Sequence, residues 1–95
     1  MNKTIKRKWV KALRSGRYRQ TQLTLKNRHG YCCLGVLRQL MHRGSELADP
    51  HESLLAEKHL KECGLLNSQQ QKLAYLNDDE DQTFPEIAGW IEKNL

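Results

Sequence analysis

The sequence predicts an α+β fold, mostly helical, with about five short helices and a small two-stranded antiparallel hairpin. Three observations carry that expectation. Apolar residues recur at helical spacing in several short stretches, and glycines and capping signatures cut those stretches apart. One polar-apolar alternation leads into a cluster of turn residues. At 95 residues there is room for one core, and 38% hydrophobic against 28% charged residues suffices for a modest one. A single domain spanning 1–95 is therefore expected.

Each element has its own signal. Ile5, Trp9, Ala12 and Leu13 share one helical face, Lys3, Arg7, Lys11 and Arg14 line up opposite, and Ser15-Gly16 supplies a stop. From Gln22 to Leu25 polar and apolar residues alternate. Lys26-Asn27-Arg28-His29-Gly30 then offers a turn, and Tyr31-Cys32-Cys33 the returning strand. The run from Cys33 to Met41 sets Cys33, Leu34, Val36, Leu37, Leu40 and Met41 on one broad helical face, with a stop at Gly44. Asp49-Pro50-His51-Glu52 reads as an N-cap, a proline in the first turn and an N3 glutamate. The helix it opens turns Leu55, His59, Leu60 and Cys63 inward and stops at Gly64. Ser68 with Gln71 has capping-box spacing for a helix to about Asn77. Thr83 with Glu86 has it for a last helix burying Phe84, Ile87, Ala88, Trp90 and Ile91. The predicted core is Trp9, Leu13, Cys33, Leu34, Leu37, Leu40, Leu55, Leu60, Leu73, Phe84, Ile87 and Ile91.

Candidate chemistry is sparse. His59 and Cys63 are four apart on a helix, the spacing of two metal ligands, but paired knuckles are missing and both fall at the centre of an apolar arc, as Cys33 does. Core packing accounts for all three, and no metal or cofactor is expected. Cys32 beside His29 is the one arrangement resembling an activated thiol, and it has no third, orienting group. Asn77, Asp79 and Asp81 alternate like calcium ligands, yet Gln82 and Ala88 stand where an EF-hand needs its glycine and closing glutamate. With no catalytic constellation in view, the expected protein is not an enzyme.

Charge is the least evenly distributed property. Residues 1–45 hold 12 of the 16 Lys and Arg and no acid; the rest of the chain holds all 11 Asp and Glu, giving +12 against −7. Such a split suits steering an anionic partner onto one face, or pairing the two halves with each other on folding. The candidate partner-binding residues are Lys3, Arg7, Lys11, Arg14, Arg17, Arg19, Lys26 and Arg28, with Trp9, Tyr18 and Tyr31 interleaved. Direct DNA or RNA binding is one reading of that pole, although no helix-turn-helix, zinc-finger or RNA-binding signature accompanies it. A solvated basic face and a protein interface are the others. No apolar run is long enough to span a bilayer, and three cysteines make no disulfide framework, so a cytoplasmic protein away from membranes is expected.

Tyr31-Cys32-Cys33-Leu34-Gly35-Val36-Leu37, Leu76-Asn77-Asp78 and Thr83-Phe84-Pro85-Glu86-Ile87-Ala88-Gly89-Trp90-Ile91-Glu92 resemble a family of small bacteriophage and prophage proteins, as does the opening Trp9 to Gln20. The stretch from about Gly44 to Leu65 lies outside the resemblance. Where such proteins often carry a glycine after Asn-Asp, this chain has Asp79-Glu80-Asp81. The resemblance implies phage origin and an accessory role in the host cytoplasm, and it transfers no activity. Phage proteins of this size commonly bind host machinery stoichiometrically, including nuclease and CRISPR defences, which makes an anti-defence or host-takeover inhibitor the expected role.

Overall fold

The computed structural model describes residues 1–42 and 52–95, and the predicted α+β architecture is present in it. In chain order the elements are α1 (Lys3–Arg14), β1 (Lys26–Asn27), β2 (Gly30–Tyr31), α2 (Cys33–Met41), α3 (Glu57–Cys63), α4 (Asn67–Asp78) and α5 (Phe84–Asn94). Helix α1 packs on α5 and α2, α2 on α4, and α4 on α5. Every predicted core residue is buried except Leu40, which is half-exposed beside the C-terminal turn of α1. Trp90, expected to point inward, is likewise only partly covered. Val10, Leu25, Val36, Leu65 and Leu76 join the same core.

Helix α1 starts where Asn2 Oδ1 accepts the Ile5 N–H at 2.9 Å, and it ends at Ser15. Gly16 follows with φ 75°, a region open to glycine at little cost. Trp9 packs in the core and donates its ring N–H to the Cys33 carbonyl at 2.9 Å, so α1 is bonded to α2 as well as packed against it.

The hairpin is smaller than expected and shifted. Lys26 pairs with Tyr31 and Asn27 with Gly30, leaving Arg28 and His29 as a two-residue turn. Lys26, Asn27 and Gly30 are thus strand residues, while Gln22–Leu25 is not a strand. The reason is tertiary: Leu23 takes φ 67° and gives its N–H to Asp78 Oδ1 at 2.9 Å, and Leu25 gives its N–H to the Glu52 carbonyl at 2.8 Å. The free edge of β2 is occupied instead by the preceding loop, with Tyr31 N–H on the Arg19 carbonyl and Thr21 N–H on the Tyr31 carbonyl.

Helix α2 has no capping side chain of its own at Cys32. Asn77 from α4 takes that role, accepting the Cys33 N–H through Oδ1 at 3.2 Å. One turn on, the backbone of α2 lies so close to the Leu25 carbonyl that a Cβ at Gly35 would stand 1.7 Å from its oxygen, so no larger residue fits. The expected stop at Gly44 lies outside the described residues.

Helix α3 begins at Glu57, later than the Asp49-Pro50 signal suggests; Asp49, Pro50 and His51 lie outside the described residues, and Glu52 is not helical. The backbone that a longer helix would need is engaged elsewhere. The Glu52 carbonyl serves Leu25, and buried Gln70 brackets Leu55, accepting its N–H at 3.0 Å and donating to its carbonyl at 3.5 Å. The stop is where the sequence puts it, at Gly64 with φ 74°.

Helix α4 starts two residues before the Ser68 signal. Gln69 Oε1, rather than Gln71, reaches back to the Leu66 N–H at 2.9 Å. For α5 the box is as read, with Thr83 N–H on Glu86 Oε1 at 3.0 Å and Glu86 N–H on Thr83 Oγ1 at 3.4 Å. Between them Asp81 adopts φ 50°, the left-handed region favoured by glycine.

Candidate anion-binding surface

Helix α1 turns its cations toward two grooves. The first runs along the α1–α5 seam, with Lys3, Lys6, Arg7, Lys11 and Arg14 above Met1, Val10 and Leu95. Spacings of three and four residues put these cations on adjoining turns of one face. Glu92 stands among them: its carboxylate pairs with Arg14, and its backbone carbonyl accepts from Lys6 Nζ at 3.5 Å. The pair raises the pKa of Arg14 and lowers that of Glu92, each by a hydrogen bond to the other. Arg14 is exposed, as expected, but it is not without a partner.

The second groove lies on the other side of Lys11, beside the last turn of α1. Lys8, Lys11 and Arg17 surround a cleft walled by Ser15, Tyr18 and Leu40. Among the described residues no acid lines it, and none of these three cations enters an ion pair. Lys8 is the residue that sequence reasoning missed. Its signal was available: Lys8, Lys11, Ala12 and Ser15 follow helical spacing as regularly as Lys3, Arg7, Lys11 and Arg14.

The structure therefore divides the eight candidates. Lys3, Arg7, Lys11 and Arg14 share the first groove, and Lys11 with Arg17 the second. Arg19, Lys26 and Arg28 line neither. Lys26 lies over the Tyr31 ring, 5.1 Å from its centre, and Arg28 Nε sits 3.3 Å from His29 Nε2 at the hairpin tip. Tyr18 meets Tyr31 edge to face, centroids 5.2 Å apart, and so joins the second groove to the hairpin. Trp9 is wholly buried and takes no part.

The sulfur and histidine candidates assemble nothing of the kind. Cys32 is buried, and burial lifts its thiol to about 11, opposite to what a nucleophile needs; His29 is exposed on the turn. Burial also raises Cys33 and Cys63, whose Sγ atoms lie near the Leu73 and Leu60 carbonyls. His59 is buried against His42, ring centroids 4.7 Å apart. Burial first, then the neighbouring His42, Arg38 and Lys58, lowers its pKa. Among the described residues no three His, Cys, Asp or Glu converge as a metal site. Asn77, aligned above with calcium ligands, is instead wholly buried, and Asp78 accepts from its amide. No helix of the described residues is long and apolar enough to cross a membrane.

What fold and surface define is a small helical domain whose first helix is a basic ridge between two grooves. A family model, Domain of unknown function (DUF8296), matches residues 1–67, and the chain belongs to that family. The match spans all of α1, the hairpin, α2 and α3, and leaves Glu92 and the rest of α5 outside it. No curated protein and no solved structure matches the chain.

Proposed function

We propose that this is a non-enzymatic binding protein that presents the basic face of α1 to an anionic macromolecular partner. The resemblance to phage proteins makes that partner a host protein or protein–nucleic-acid complex, and the role anti-defence or host takeover in the host cytoplasm. One observation carries the reading: Lys3, Arg7, Lys8, Lys11 and Arg17 crowd one helix and its exit, and among the described residues none of them is ion-paired. Unneutralised cations at this density raise encounter rates with anionic partners and reject basic ones. Burial that raises the Cys32 thiol to about 11 favours binding over thiol chemistry.

The test is capture of partners from bacterial lysate by the immobilised protein and by a Lys3→Glu/Arg7→Glu/Lys11→Glu variant. These positions are exposed and outside every ion pair of the described residues, so the variant should fold. Capture should be lost in the variant at roughly 150 mM salt, where the Debye length is about 8 Å. Undiminished capture there overturns the proposal. A nuclease-treated lysate separates the two partner classes: protein partners survive the treatment, and loss of every partner favours direct nucleic-acid binding.

A further inference from the structure

We infer that the groove beside the last turn of α1, continued across Tyr18 and Tyr31 to Lys26, is a binding track for single-stranded nucleic acid. The inference rests on the proposed role of the basic pole and names the chemistry that one side of it accepts. Lys8, Lys11 and Arg17 ring a cleft of about 580 Å³ that no acid among the described residues lines, unlike the α1–α5 groove, where Glu92 already competes for Arg14 and Lys6. The partial negative charge at the C-terminus of α1 opposes an anion here, but a half charge is outweighed by three full cations.

The aromatic residues decide which anion. An acidic peptide would satisfy the charges alone. It would make no use of the Tyr18 ring, which packs against the core and still forms the wall between the cations, with Tyr31 at 5.2 Å and Lys26 over the Tyr31 ring at 5.1 Å continuing from it. A tyrosine ring set between cations matches a chain whose phosphates alternate with bases, because stacking serves any base while the cations follow the backbone, Tyr18 being the ring that lines the cleft and Lys26 the cation at the far end. A duplex hides its base faces within the stack, so the rings specify a single strand. The hydroxyl of Ser15 is not available to a ligand as a donor, since it already donates to the Ala12 carbonyl at 2.7 Å while accepting the Arg17 N–H at 3.1 Å; its role is to set the turn that aims Arg17 at the cleft.

The experiment measures fluorescence anisotropy of a labelled oligothymidine of about 12 nucleotides, within the usual site sizes for single strands. The wild type should bind it more tightly than a duplex of equal length. Lys8→Glu/Arg17→Glu should weaken binding at least tenfold and flatten the plot of log K against log salt by about 0.7 for each phosphate no longer neutralised. Tyr18→Leu, which keeps apolar bulk, should weaken binding without changing that slope, its fold being checked by circular dichroism. No binding by the wild type, equal binding by the Lys8/Arg17 variant, or equal competition by polyglutamate overturns the inference. If it fails while Lys3→Glu/Arg7→Glu/Lys11→Glu still abolishes partner capture, the basic pole stands and only its ligand is wrong. If that variant captures partners undiminished, the pole itself is wrong.

Discussion

Asn77 makes four hydrogen bonds from a site with no exposed surface. Its Oδ1 accepts from Gln20 Nε2 at 2.9 Å and from the Cys33 N–H at 3.2 Å, while Nδ2 donates to the Thr21 carbonyl and to Asp78 Oδ1, each at 2.9 Å. Gln20 extends the network, donating to the Gln82 carbonyl and accepting the Phe84 N–H, so one amide pair ties the loop after α1 to the starts of α2 and α5. Asn77→Ala strands the Cys33 N–H and the Thr21 carbonyl, and unsatisfied buried groups cost about 1 to 3 kcal/mol each, so a loss on the order of 2 to 4 kcal/mol is expected in urea denaturation. Asn77→Asp should not rescue it, because a carboxylate keeps the acceptor and loses both donors beside Asp78. None of this was legible from residues 76–81 alone. Polar residues there suggest a turn or an ion site, and the partners that make Asn77 structural lie 44 to 57 positions away.

Helices were readable where their signals are local, and misplaced where another element supplies the partner. Thr83 with Glu86, and Gly64, act within their own helix, and both termini fall where sequence places them. The start of α3 and the ends of the hairpin do not, because Gln70, Asp78 and Glu52 take over the backbone groups at issue; α4 is the exception, its start shifted because its own Gln69 rather than Gln71 closes the box. Helix α2 shows the same division. Its apolar arc is plain in the sequence, whereas its cap comes from Asn77 and its close approach to Leu25 from Gly35. Because α2 touches α1 and α4 and Leu37 has no exposed surface, Leu37→Ala should cost about 2 to 5 kcal/mol. Chemical denaturation measures it directly. An unchanged melting temperature would mean that this face of α2 is not the centre of the core. The basic ridge on α1 divides in the same way. Its cations follow from helical spacing, but which of them Glu92 neutralises depends on α5 packing alongside, 78 residues further on in the chain.

Across the whole molecule, the ion pairs among the described residues that bring an acidic side chain of the second half against a basic one of the first are Arg14 with Glu92 and His42 with Glu62. His42–Glu62 is charged only when the imidazole is protonated, Lys61–Glu57 lies within the acidic half itself, and the side chains of all three pairs are substantially exposed, from 33% at His42 to 81% at Glu57. Exposed pairs contribute little and are screened by salt, whereas the core is apolar and does not respond to screening in this way. The remaining cations on α1 repel one another in the folded state and attract whatever anion approaches. Stability and binding should therefore respond to salt in opposite ways. From roughly 0.1 M to roughly 1 M salt the Debye length falls from about 10 to about 3 Å, so the melting temperature should hold or rise slightly as self-repulsion is screened. Over the same range, affinity for the anionic partner should fall steeply. Thermal unfolding monitored by circular dichroism, run beside the binding assay in the same buffers, separates the two. A melting temperature that drops with salt as sharply as the affinity would mean that the basic half spends its charge holding the fold together, and would leave no free pole for a partner.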